Sequence, residues 1–225
     1  MYKTIFITAT DTGVGKSIFT SILAISEYRS GKKVAISKPI QTGIQKDTDI
    51  LYNLTGGEIP IFNLYSFSLG AAPLISQRVE EKQINLEKVI SGIRKLENEF
   101  DCVIVEGIGG IAVPLLEKDS EIYTIGDLIK DLNYPAIIVS RSLLGTINHT
   151  VLSIEFAKQK GLNISGFIVS GYEKNTKDIV IKTAPEVIFE MTGVSCLLKV
   201  PLLKEISYKA INDFVMKNVL PSRVV

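Results

Sequence analysis

The residues Thr10-Asp11-Thr12-Gly13-Val14-Gly15-Lys16-Ser17 combine two glycines with a closing lysine and serine, between an apolar run, Tyr2 to Thr8, and a helical pattern, Ile18 to Tyr28. Strand, glycine turn and helix in that order form the context in which a short motif becomes a phosphate site. Backbone N–H groups of the turn and of the helix start converge on one spot, where the helix dipole favours an anion. Gly13 and Gly15 let the backbone approach closely, Lys16 reaches terminal phosphate oxygens, and the Ser17 hydroxyl can ligate Mg²⁺. Thr10 stands where the usual motif has its first glycine. The plain alternative is a tight turn with a solvated lysine, and the flanking strand and helix favour the phosphate reading.

Glu106 carries the second signal. Phe100 to Glu106 reads as a buried parallel strand ending in an acid, followed by Gly107-Ile108-Gly109-Gly110. Such a carboxylate holds Mg²⁺ or its water shell in nucleotide-binding folds of this kind. The alternative is an exposed acid at a strand end. Lys33 to Ser37 reads as another strand, and Lys38-Pro39-Ile40-Gln41-Thr42-Gly43 leaves it as a loop. Ligands gather at the carboxyl ends of parallel strands, so Lys38 and Thr42 should emerge beside the phosphate loop. A surface lysine at a strand end competes with that reading. In the next helix Asp47 or Thr48 serves as the cap, and Asp49 falls in the first turn, where the helix dipole alone accounts for an acid.

These residues need a scaffold, and the hydrophobic pattern supplies one. Leu86, Val89, Ile90, Ile93 and Leu96 recur at helical spacing. Thr124 caps a helix to Leu132, with Asp127 three residues on. A strand over Pro135 to Ser140, a helix over Gly145 to Lys160 and a strand over Leu162 to Ser170 follow. Thr176 to Met191 reads as helical in part and broken near Pro185, Ser195 to Val200 as a last strand, and a final helix falls within Glu205 to Val219. Ile59 to Gln83 has little periodicity and reads as a long, partly ordered connection. Strands alternating with helices imply an α/β fold, a mostly parallel sheet with right-handed crossovers and helices on both faces.

At 225 residues the chain fits a single domain, 1–225, with a full core. Hydrophobic residues at 46%, with 25 basic against 24 acidic side chains, are ordinary for a globular protein and point to neither nucleic acid nor an anionic membrane. No leader-like segment and no run of 18 apolar residues occurs, so a cytoplasmic location is expected. Cys102 and Cys196 lack metal-ligand spacing and read as buried small hydrophobes. His149, the one histidine, reads as a packing or capping residue.

Taken together, the segment Thr10 to Ser17, Lys38-Pro39-Ile40-Gln41-Thr42-Gly43, Val105-Glu106-Gly107-Ile108-Gly109-Gly110 and Leu144-Gly145-Thr146-Ile147-Asn148-His149 resemble the dethiobiotin synthetase family. The resemblance implies a P-loop NTPase-like α/β fold and a cytoplasmic homodimer. It also implies Mg²⁺- and ATP-dependent closure of the ureido ring of dethiobiotin from 7,8-diaminononanoate and CO₂ or bicarbonate. By the same resemblance Gly13, Val14, Gly15, Lys16, Ser17 and Ile18 bind the triphosphate. Ser17, Asp49 and Glu106 hold Mg²⁺, with Gly107, Ile108 and Gly109 at the nucleotide. Lys38 is the catalytic lysine, with Lys16 beside it, and Thr12 and Thr42 contact the diamine or its carbamate. Leu144, Gly145, Thr146, Ile147 and Asn148 receive the substrate carboxylate across the dimer interface. Pro201, Leu202, Leu203 and Glu205 match a late nucleotide-contacting segment.

Ala9 replaces the family's usual glycine before the loop, and Ser170-Gly171 stands where the family usually has Asn-Asp for the base. An asparagine amide pairs two ways with adenine and a serine hydroxyl does not, so ATP or another nucleoside triphosphate fits. The rival reading is a P-loop switch ATPase of the plasmid- or division-positioning kind. Such proteins usually carry a further lysine early in the loop, and residues 10–14 contain none. They also commonly end in a basic amphipathic membrane helix, and the tail after Glu205 is not strongly basic. A related amidoligase is the third reading, and the chain has no room for a glutaminase domain.

Overall fold

A computed structural model describes residues 3–173 and 175–218. Tyr2 and Val219, which bound the first expected strand and the last expected helix, lie outside the described residues. The chain runs β1 (Thr4–Ala9), α1 (Lys16–Arg29), β2 (Val34–Ser37), β3 (Ile40–Thr42), α2 (Asp47–Leu54), β4 (Ile61–Phe62), β5 (Tyr65–Phe67) and α3 (Pro73–Glu80). It continues with α4 (Leu86–Glu99), β6 (Cys102–Glu106), β7 (Pro114–Lys118), β8 (Glu121–Thr124), α5 (Ile125–Leu132) and β9 (Ala136–Arg141). It closes with α6 (Thr146–Gln159), β10 (Ile164–Tyr172), α7 (Ile179–Thr192), β11 (Cys196–Pro201) and α8 (Tyr208–Lys217).

Seven strands form one sheet in the order β11-β10-β9-β1-β6-β2-β4, with every neighbouring pair parallel. Alternating side chains bury opposite faces. Ile5, Ile7 and Ala9 of β1 pack with Phe19 and Ile22 of α1, Leu51 of α2 and Ile211 of α8. Phe6 turns the other way, with Val103 and Val105, toward Ile93 of α4 and Leu128 of α5. Ile138, Phe167 and Val169 pack with Ile154 of α6 and Ile188 of α7. Burial on both faces is why these strands read as continuous apolar runs. Each fully buried isoleucine or phenylalanine contributes about 1.5–3 kcal/mol. Because the sheet is parallel, the carboxyl ends of β1, β2, β6, β9, β10 and β11 open on one edge, and the chemistry-bearing segments follow them.

Three segments differ from the sequence expectation. Residues 59–83 are ordered: β4 adds to the sheet edge beside β2, β5 pairs with β3, and α3 follows. The Lys38–Gly43 loop therefore contains a strand, and strands of two or three residues are too short to show a period. Next, β7 and β8, for which the pattern held no expectation, form a hairpin closed by Asp119 and Ser120. Both turn residues have positive φ, +52° and +66°, as a type I′ turn requires. Finally, α7 runs unbroken through Pro185. A mid-helix proline costs about 3 kcal/mol, and the burial of Ala184, Pro185 and Ile188 offsets it. Thr124 and Asp127 form the expected reciprocal capping box on α5.

Among the described residues both cysteines are free. Burial, aided by the charge of Glu27, pushes the Cys102 thiol up to about 12. In native protein at about pH 8, Cys102 should react with iodoacetamide at least about a thousandfold more slowly than in the urea-unfolded chain, because the thiolate is the nucleophile. Time-resolved mass spectrometry of the alkylated protein checks this, and comparable rates in the two states would contradict the buried environment.

Candidate active site

The turn after β1 is shaped by two left-handed glycines, Gly13 (φ +73°) and Gly15 (φ +101°). Gly15 occupies the N-cap position of α1 and no side chain caps the helix, which leaves its first N–H groups free for an anion. A Cβ on Gly15 would lie 2.2 Å from the Ser170 hydroxyl oxygen, so β10 presses Ser170 directly against the loop.

Glu106, at the end of β6, is fully buried. Its Oε1 accepts from Ser17 Oγ at 3.1 Å and from Lys38 Nζ at 3.0 Å. Its Oε2 is buried without a partner. An unpartnered buried carboxylate oxygen is costly unless something arrives to use it. The hard oxygens of Ser17 and Glu106, meeting beside a polyphosphate loop, fit Mg²⁺, which takes one or two carboxylates plus phosphate oxygens. Among the described residues no three His, Cys, Asp or Glu side chains converge on a metal point, and a cation here would draw its remaining ligands from phosphate and water.

Two lysines bracket this carboxylate in opposite electrostatic states. Burial, and then the charge of Lys38, lowers Lys16 to about 8. A polyphosphate beside Lys16 would favour its charged form and oppose that lowering. Lys38 is also buried, which acts to lower its pKa, but Glu106 and Asp47 outweigh burial and raise it. Its ammonium pairs with Asp47 Oδ2 at 2.6 Å and Glu106 Oε1 at 3.0 Å, and donates to the Gly107 carbonyl at 2.8 Å. Asn63 donates to the Lys38 carbonyl at 2.7 Å and the Lys38 N–H donates to Phe62 O at 2.8 Å, fixing the start of the loop.

Asp47 is the member of the site that sequence reasoning missed. Neither Asp47 nor Thr48 caps α2: Lys46 holds the N-cap position without a side-chain bond. The Thr48 N–H instead donates to Gln41 Oε1 at 3.1 Å, tying the first turn of α2 to β3 and bringing Asp47 to Lys38. Asp49 is exposed on that turn. No spacing rule links residues 38 and 47, so only the folded loop reveals the pair.

A cavity of about 620 Å³ is lined by Thr12, Gly13, Gly15, Lys16, Ser17 and Ile18, by Thr42 and Asp47 opposite, and by Glu106, Ile108 and Gly109. A second, of about 370 Å³, lies on the other side of the loop, between Val14, Ser170, Gly171, Pro201, Leu202 and Leu203. Arg141 and Ser142 also line it, and the Arg141 Nε and Ser142 Oγ are buried without partners. The sequence reading had not singled out either residue. Lys38, Gly107, Asp49, Glu205 and the segment Leu144, Gly145, Thr146, Ile147 and Asn148 line neither cavity, Lys38 lying buried behind Asp47 and Glu106, which line the first. That segment starts α6, where Gly145 is an uncapped N-cap with φ +91° and Leu144 is 84% exposed.

The AAA domain family model matches residues 3–210. The chain is 36% identical over 226 residues to an ATP-dependent dethiobiotin synthetase BioD of Thermodesulfovibrio yellowstonii, covering 95% of this chain and 94% of the relative. It is 34% identical over 221 residues to the Bacillus subtilis (strain 168) protein of the same name, with 95% and 94% covered. Solved structures add likeness of fold at low identity. The Pyrococcus furiosus cell division ATPase MinD gives a TM-score of 0.59 at 15% identity over 96% of this chain and 98% of that one. A ParA family ATPase from Chlorobium tepidum gives 0.58 at 14% over 94% and 97%. The fold is therefore that of a P-loop nucleotide-binding protein, and relatives matched at 32% to 36% identity along nearly the whole chain bear the same name. The chain belongs to the ATP-dependent dethiobiotin synthetase family.

Proposed function

We propose that this protein closes the ureido ring of dethiobiotin from 7,8-diaminononanoate and CO₂, using ATP or another nucleoside triphosphate. The observation that carries the reading is Glu106, whose carboxylate joins Ser17 and Lys38 while keeping one buried oxygen unpartnered. Gly13 to Ile18 take the polyphosphate, and the cavity beside Ser170, Gly171 and Pro201 to Leu203 takes the base. Ser17 and Glu106 are the residues that would hold Mg²⁺, whereas Asp49, expected as a third ligand, is exposed on α2 and lines neither cavity. When bound, the ion supplies positive charge against the phosphate oxygens.

One substrate amine takes up CO₂ as a carbamate and releases a proton. A carbamate oxygen then attacks the γ-phosphorus and displaces the nucleoside diphosphate, leaving a carbamic-phosphoric anhydride. The second amine attacks its carbonyl carbon, phosphate departs carrying the proton the amine gives up, and the ring closes. Lys16 and Lys38 offset charge on the transferring phosphoryl group, and Thr12 and Thr42 orient the diamine. Positioning and electrostatics dominate phosphoryl transfer, which suits a site built from lysines and backbone N–H groups. In a homodimer, the α6 N-terminus at Leu144 to Asn148 would receive the carboxylate of a substrate held by the partner, since a helix start favours an anion.

Purified protein should consume triphosphate only when diaminononanoate and bicarbonate are both present, because the attacking oxygen belongs to the carbamate. Phosphate release assayed with each component omitted in turn checks this. Hydrolysis without those substrates, stimulated by a protein or DNA partner, would instead support a switch ATPase. The MinD and ParA likenesses do not favour that rival, because at 14–16% identity they speak for the fold alone.

A further inference from the structure

An ammonium has three N–H donors, and those of Lys38 face three acceptors: Asp47 Oδ2 at 2.6 Å, Gly107 O at 2.8 Å and Glu106 Oε1 at 3.0 Å. A phosphate oxygen reaching Lys38 must displace one of them. The Gly107 carbonyl belongs to backbone held by its N–H bond to Ile7 O at 2.9 Å, with Phe6 packed so closely that a Cβ on Gly107 would lie 2.9 Å from its ring. Glu106 is fully buried and also holds Ser17. Asp47 differs from both. Its side chain is 33% exposed, it lines the 620 Å³ cavity, and it sits on the first turn of a helix whose N-cap side chain satisfies no N–H. Released from Lys38, its carboxylate finds water and a favourable helix start.

We propose that Asp47 is a positioning residue that pairs with Lys38 and is displaced from it by an oxygen of the terminal phosphate. The inference rests on the reading of Lys38 as a contact of the transferring phosphoryl group. Asp47 thus helps Glu106 keep the ammonium aimed, and its release is part of the cost of nucleotide binding.

The test is a double-mutant cycle read by calorimetric titration of Mg²⁺–ATP, with melting temperatures recorded for every variant. Asp47→Asn exchanges a charged acceptor for a neutral one, so it should bind Mg²⁺–ATP about fivefold more tightly than the parent. In the Lys38→Met background the same substitution should bring no such gain, because no ammonium remains to be released. An equal gain in both backgrounds would mean that Asp47 acts by direct repulsion of phosphate, and would overturn the proposal. So would unchanged or weaker binding by Asp47→Asn, which is what a merely structural role predicts. Asp47→Ser, which also suits a helix start, carries the same expectation should the asparagine variant fold poorly. Turnover of Lys38→Met tests the catalytic reading separately. If it stays at the parental rate, Lys38 leaves the mechanism, whereas the titrations alone decide the role of Asp47.

Discussion

Lys38→Ala is expected to lower turnover by about a hundred- to a thousandfold, the usual consequence of removing one charge-stabilising donor from a transition state. Triphosphate binding should survive, because Lys16 and the N–H groups of the turn remain. The same substitution should destabilise the fold by about 3–5 kcal/mol, since it strands the fully buried Glu106 carboxylate without its cation. Adding Glu106→Gln should return much of that stability by neutralising the orphaned charge, yet leave turnover low. Urea unfolding with an unchanged slope, together with steady-state rates, separates the two effects. Parental turnover in Lys38→Ala would remove the lysine from the chemistry, and parental stability would mean that the pair is not buried as described.

Gly15→Ala should be the most damaging small substitution in the chain. A left-handed φ of +101° strains any L side chain, at about 1–3 kcal/mol. The new methyl would also sit 2.2 Å from Ser170 Oγ and 2.9 Å from its Cβ, forcing the turn away from β10. Because that turn aims the N–H groups at the phosphates, binding of Mg²⁺–ATP should fall by more than about a hundredfold, alongside a loss of roughly 3 kcal/mol in stability. Adding Ser170→Gly removes the collision but not the strained φ, so it should recover part of the stability. Complete recovery would show that backbone strain counts for nothing here. Titration calorimetry and denaturant melts report both quantities.

Much of this was legible in the chain because a parallel sheet buried on both faces writes each central strand as an unbroken apolar run. The residue that ends each run then falls at the open edge, which is how Glu106 and the turn after Ala9 declared themselves. Elements without such a run stayed hidden. The strands of β3, β4 and β5 span three residues at most, and the β7–β8 hairpin depends on left-handed turn residues that are neither glycine nor asparagine. Pro185 misled because propensity describes an isolated helix, whereas α7 is held by burial of that same proline. Asp47, Arg141 and Ser142 were invisible for another reason: each matters through what the fold places beside it, and the nearest neighbours in sequence hold no trace of that.

The position of β1 bears on how the protein is made. The strand β1 is the middle of the finished sheet, yet both its neighbours follow it in the chain, with Thr4 opposite Val103 and Phe6 opposite Ala136. An emerging chain therefore carries an apolar segment with neither flanking strand to pair with until β6 and then β9 have left the ribosome. Closing such distant contacts is slow, and exposed strand-forming segments invite association in the meantime. Nucleotide cannot rescue the nascent chain early, because the turn that grips it is shaped only when those later strands arrive. Triphosphate should accordingly protect the growing chain only once β6 and β9 have emerged to complete the middle of the sheet.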